Sequence, residues 1–192
     1  DMGCHILDPV FTALELGAPT TVLSRGPQHG DETFAADGDV VWTFAPTART
    51  AGALRLHWTD GGARPEAARA HLPPGVELPR AGSFTIGERG VMVLPHWAMP
   101  TFYRDGHQLE LPIEEQPAGD HYREWTDACR GEGSTSTPFA YAGPLTEAVL
   151  VGVIAGRHQD RLLRWDSAAM RFGDERADAL VRRTYRDGWA PE

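Results

Sequence analysis

With 192 residues, 41% of them hydrophobic, the chain is long enough to bury a sizeable core as a single unit. A formal charge of −9 argues against a nucleic-acid partner, since a phosphate-tracking surface needs a basic patch. Two cysteines, Cys4 and Cys129, are too few for a disulfide framework and too far apart for a zinc knuckle, and no apolar run reaches the roughly 18 residues of a membrane span.

The chain opens on Asp1-Met2-Gly3-Cys4-His5-Ile6-Leu7-Asp8. In a helix Asp1, His5 and Asp8 fall at i, i+4 and i+7 on one face. An imidazole flanked by carboxylates is a way to hold a general acid/base in one tautomer near neutrality. The same spacing also fits a first turn in which both carboxylates are merely solvated. Cys4 to Leu16 reads as a helix through Ile6, Leu7, Val10, Phe11 and Leu14, ending at Gly17 as its C′ residue. Residues Thr20 to Leu23, Asp39 to Phe44 and Ala53 to Trp58 read as strands. Ala63 to Gly82, punctuated by Pro65, Pro73, Pro74 and Pro79, is a predicted loop with one helical turn. Phe84 to Ile86 and Val91 to Leu94 flank Gly87-Glu88-Arg89-Gly90 as a hairpin, and Pro95 to Gly119 reads as irregular.

A helix from Tyr122 to Cys129 follows, and another from Pro144 to Ala155, with Gly143 ahead of a proline at the first helical position. Leu145, Val149, Leu150, Val153 and Ile154 make the second of these the predicted centre of the core. Leu162 to Trp165 and Met170 to Phe172 read as a terminal hairpin, and Glu175 to Tyr185 as a polar closing helix. Strands in succession, with helices before and after them, indicate an α+β fold. Val40, Trp42 and Phe44 lie on one side of a strand and Val41 and Thr43 on the other, so self-association through a sheet face is expected. Both cysteines fit reduced, buried thiols in a cytoplasmic protein, with a bridge between them as the alternative.

Several segments, in order, resemble one family. They are Asp1-Met2-Gly3-Cys4-His5-Ile6-Leu7-Asp8-Pro9, His57-Trp58-Thr59-Asp60-Gly61-Gly62, His121-Tyr122-Arg123-Glu124-Trp125-Thr126-Asp127-Ala128-Cys129, Tyr141-Ala142-Gly143-Pro144-Leu145-Thr146-Glu147-Ala148, and Tyr185-Arg186-Asp187-Gly188-Trp189. The family is that of glucose–fructose oxidoreductase, inositol dehydrogenase and the rhizopine-catabolism proteins (Gfo/Idh/MocA), and the likeness runs over nearly the whole chain. It resembles the C-terminal half only. The implied fold is an open, mainly antiparallel sheet with helices packed on one face, residues 1–192 forming a single substrate-binding and oligomerisation domain.

The family's N-terminal dinucleotide-binding Rossmann domain has no counterpart in these residues. No G-x-G-x-x-G follows a strand. All 18 basic residues are arginines, so the family's interdomain lysine has no counterpart either, and an always-charged guanidinium cannot donate a proton in its place. NAD or NADP is therefore expected in an intact parent protein and not on this chain alone.

The resemblance implies a sugar or polyol dehydrogenase in which His5 is the general base. Asp1 would orient His5 or bind a sugar hydroxyl. Asp8, His121 and Tyr141 are the candidate substrate contacts, although His121 also fits a capping or surface histidine and Tyr141 a core residue. His57, Trp58 and Asp60 read as closing a strand and turn, with Asp60 within reach of a pocket rim. No metal-ligand spacing is present, and neither a nucleic-acid nor a membrane partner is expected. Two alternatives stay open: a fragment that binds or assembles without catalysis, and a hydrolase or lyase acting through His5 and a carboxylate.

Overall fold

The computed structural model describes residues 2–114, 116 and 119–190, so Asp1 lies outside the described residues. Helix α1 spans Met2–Leu14, strands β1, β2 and β3 span Pro19–Ser24, Asp39–Phe44 and Leu54–Thr59, and the short helix α2 spans Glu66–Arg69. Strands β4 (Gly82–Gly87), β5 (Gly90–Pro95), β6 (Thr101–Arg104) and β7 (His107–Leu109) follow. Helices α3 (His121–Cys129) and α4 (Phe139–Ala155), strand β8 (Leu163–Arg164) and helix α5 (Glu175–Asp178) complete the chain. Among the described residues, no helix is long and apolar enough to cross a membrane.

The fold is α+β, with strands arranged as two four-stranded antiparallel sheets rather than one open sheet, in the orders β3-β2-β1-β8 and β4-β5-β6-β7. In the first sheet the cross-strand pairs Leu56–Trp42, Trp42–Val22 and Val22–Leu163 put these four side chains in one row. That row meets α1 and α4, and with Leu7, Phe11, Phe44, Leu145 and Val151 it forms the main core. The opposite face carries Thr21, Thr43, Arg55, His57 and Arg164, with Leu23 and Val41 among them. It is more polar than the alternation within Asp39–Phe44 suggested. The second sheet has a smaller core, in which Val91, Val93 and Tyr103 pack against Leu72, Val76 and Leu78 of the loop that precedes it.

Several element ends differ from expectation for identifiable reasons. Helix α1 stops at Leu14, not at Gly17. Glu15 takes the left-handed conformation (φ 54°), and the Leu16 amide reaches back to the Phe11 carbonyl at 3.1 Å, a six-to-one closure in which both side chains are buried. Burial of Leu16 beside Phe11 outweighs the cost of a non-glycine residue at positive φ.

The hairpin β6–β7 falls in the segment expected to be irregular. Its signal is Asp105-Gly106, both at positive φ (51° and 76°), the tight-turn dipeptide that matches strand twist. Helix α4 begins at Phe139, five residues before the expected start, and runs through Pro144. Gly143 allows this: a residue ahead of proline resists helical geometry mainly through its Cβ, which glycine lacks.

The buried stripe of α4 is Leu145, Ala148, Val151, Gly152 and Ala155, whereas Leu150 is exposed. Small residues face the sheet because the Trp42 indole occupies the space and donates its Nε1–H to the Ala148 carbonyl at 2.9 Å. The expected terminal hairpin survives as a single bridge, Asp166–Arg171, while β8 pairs with β1. The closing helix shortens to Glu175–Asp178, capped by Asp174, which accepts from the Arg176 and Ala177 amides. Cys4 and Cys129 are both exposed, contrary to the buried thiols expected, and no disulfide joins them.

Candidate functional site

Helix α1 buries Ile6, Leu7 and Phe11 and turns His5, Asp8 and Thr12 to solvent. The i, i+3 and i+7 spacing of those three polar residues makes them one face. Pro9 sits inside the helix and has no amide hydrogen, so the His5 carbonyl lacks its usual intrahelical donor. The expected shared face is thus present for His5 and Asp8, while Asp1 lies outside the described residues.

Two groups of side chains converge on this face from distant parts of the chain. From α4, the half-buried Tyr141 hydroxyl donates a short hydrogen bond to the Asp8 carboxylate and also lies 3.0 Å from the Asp8 carbonyl. Thr12 Oγ1 is 2.8 Å from the same hydroxyl. Because Tyr141 spends its proton on Asp8, Thr12 donates to the phenol oxygen, which gives a Thr12–Tyr141–Asp8 relay. Burial, and next the hydrogen bond to Asp8, push the Tyr141 hydroxyl above its ordinary pKa. The phenol therefore stays protonated and orients the carboxylate.

The turn after β5 supplies the second group. The His96 ring lies 6.1 Å from the His5 ring, centroid to centroid, and meets Trp97 edge-on at 4.4 Å. Trp97 is 90% exposed, so a large indole stands in solvent next to the imidazole pair. The His96 amide bonds to the Ala81 carbonyl at 3.0 Å, which ties this turn to the start of β4. Chemically, the face offers an accessible imidazole, an oriented carboxylate and an aromatic surface, a set suited to binding a polyhydroxylated molecule and taking a proton from it.

Of the sequence candidates, Asp8 and Tyr141 are brought together, and His5 shares the α1 face of Asp8. His121 is not brought to them. It begins α3, its ring 4.1 Å from that of Tyr122, and among the described residues no hydrogen bond or ring contact joins it to His5, Asp8 or Tyr141. Asp120 caps that helix by accepting from the Arg123 amide.

His57 bonds Asp39 across the sheet at 2.8 Å, and Trp58 donates to Asp60 at 2.9 Å. The reading of this segment as strand and turn closure is consistent with these bonds. His96, Trp97 and Thr12 were missed. Thr12 was legible four residues after Asp8; nothing local marks His96 or Trp97, since only the approach of α1 to the second sheet places them. Among the described residues, no three His, Cys, Asp or Glu side chains converge as a metal site.

No family model matches the chain, and no curated protein is significantly similar to it in sequence. The likeness to the Gfo/Idh/MocA proteins rests on the motifs quoted above.

Proposed function

We propose that this chain is the substrate-binding half of an NAD(P)-dependent sugar or polyol dehydrogenase, with His5 as general base. The observation that supports it is the exposed His5 on a helix face shared with Asp8, whose carboxylate Tyr141 holds in place. In this reading the substrate lies along α1. Asp8 accepts a hydrogen bond from one hydroxyl, and His5 takes the proton of the hydroxyl undergoing oxidation. The substrate specificity of the parent family comes to this chain only through that resemblance.

Among the described residues no parallel strand–helix–strand unit of the dinucleotide-binding kind is formed. Both sheets are wholly antiparallel, whereas the pyrophosphate-binding turn belongs to a parallel strand–helix–strand unit. Titration of this chain with NADH or NADPH is therefore expected to give no saturable fluorescence change. The hydrolase or lyase alternative is less well supported. It needs His5 and Asp8 as a couple, and the Asp8 carboxylate is instead committed to Tyr141, with no hydrogen bond to His5 among the described residues.

The test is NMR of the histidine Hε1 resonances during titration with a panel of aldoses, uronic acids and inositols. One or more of these is expected to shift His5 saturably, with the effect lost in Asp8→Ala. A panel in which no compound moves His5 refutes the proposal.

A further inference from the structure

Away from α1, the loop between β3 and β4 folds over a cavity of about 650 Å³, within the size range of small-molecule sites. Arg64, Arg69 and Arg80 line it, and among the described residues Glu77 is the one acidic member of the lining. A local surplus of positive charge is unexpected on a chain with a formal charge of −9. No described carboxylate forms an ion pair with any of the three guanidiniums. Among the described residues, Arg64 gives one side-chain hydrogen bond, to the Ala63 carbonyl at 2.9 Å. An arginine has five N–H donors in a rigid planar fork, so three around one cavity make a donor-rich wall.

The remaining wall is apolar and anchored. Leu72, Val76 and Leu78 line the cavity and also pack against Val91, Val93 and Tyr103 of the second sheet. Pro73-Pro74 restricts the intervening backbone, and the Val76 amide closes a turn onto the Pro73 carbonyl at 3.2 Å. The arginines are thus carried on a segment held by a small core.

We infer that this cavity binds a small phosphate monoester, its phosphate held by Arg64, Arg69 and Arg80 and its organic part against Leu72 and Val76. Among the described residues, three guanidiniums against one carboxylate leave a positive lining, the sign that a phosphate monoester, with a charge of about −1.5 to −2 at neutral pH, calls for. The three tetrahedral phosphate oxygens can accept from more than one guanidinium fork, which a single planar carboxylate does less well. The site is separate from the α1 face and does not depend on its catalytic reading.

The experiment is calorimetric titration of the chain with phenyl phosphate at constant ionic strength, in parallel with benzoate and with inorganic phosphate. Phenyl phosphate is expected to bind saturably with Kd of about 1 mM or tighter, and benzoate about tenfold or more weaker. Inorganic phosphate should fall between them, because it lacks the apolar body. In the Arg69→Gln/Arg80→Gln variant, phenyl phosphate binding should weaken by about tenfold or more, with the circular dichroism spectrum unchanged. Both side chains are exposed, so that variant is expected to fold. Absence of saturable binding, equal binding of benzoate, or undiminished binding by a folded double variant would each overturn the assignment.

Discussion

Replacing Gly152 by alanine sets two effects of opposite sign against each other at the centre of the main core. On helix propensity alone the change favours folding by about 1 kcal/mol. The new methyl, however, would stand 2.3 Å from Trp42 Cζ2, 3.0 Å from Cε2 and 3.3 Å from Cη2. Carbon pairs at rest lie about 3.5–4.0 Å apart, so the indole has to retreat by more than about 1 Å. Trp42 is only 4% exposed, and its Nε1–H is bound to the Ala148 carbonyl one turn away on the same helix, so retreat is obstructed on several sides.

Overpacking of this kind costs about 1–3 kcal/mol, and a weakened buried hydrogen bond adds about 1 kcal/mol. The net expectation is a destabilisation of roughly 1–3 kcal/mol, or a fall in Tm of about 2–10 °C for a chain of this length. Urea denaturation of wild type, Gly152→Ala, Trp42→Leu and the double variant closes a cycle. In the Trp42→Leu background the clash is gone, and the same glycine substitution should be neutral or stabilising by up to about 1 kcal/mol. A Gly152→Ala protein as stable as wild type, or a penalty that persists without the indole, would refute the close-packing account.

Alkaline titration of the tyrosine absorbance should show one group ionising above the usual value of about 10; that group disappears in Tyr141→Phe and shifts downward in Asp8→Asn. If the late group remains in Tyr141→Phe, the Asp8–Tyr141 pairing is wrong. His158 has its pKa lowered by burial, and its Nε2 is buried without a partner among the described residues. A depressed histidine is neutral in the fold and protonates more readily when unfolded. Its stability contribution is therefore intact above about pH 6.5 and lost as pH falls below it, and His158→Gln should flatten that part of the stability curve. A curve unchanged by the substitution counts against it. Self-association through a sheet face should appear in light scattering as a discrete dimer or tetramer across a concentration series, and a strict monomer at high concentration would rule it out.

Elements whose boundaries follow from local chemistry were legible in the chain. Strand β2 matches Asp39 to Phe44, and α3 starts beside the Asp120 cap. The β4–β5 hairpin follows from apolar runs around a glycine-bounded turn. The polar face of α1 was also legible, because helical periodicity alone places His5 and Asp8 side by side.

Sequence by itself therefore determined most elements, the α+β character and one half of the candidate site. Tertiary structure decided which helix residues are buried, since Trp42 requires small neighbours at Ala148 and Gly152. Packing also decided the left-handed Glu15, through the burial of Leu16, and the split into two sheets. It alone brought Tyr141 to Asp8 across 133 positions, and His96, with Trp97 against it, to His5. The physical reason is range. Propensities and caps act within a turn or two of the chain, whereas the core chooses partners by shape and by the hydrogen bonds that buried polar atoms must complete.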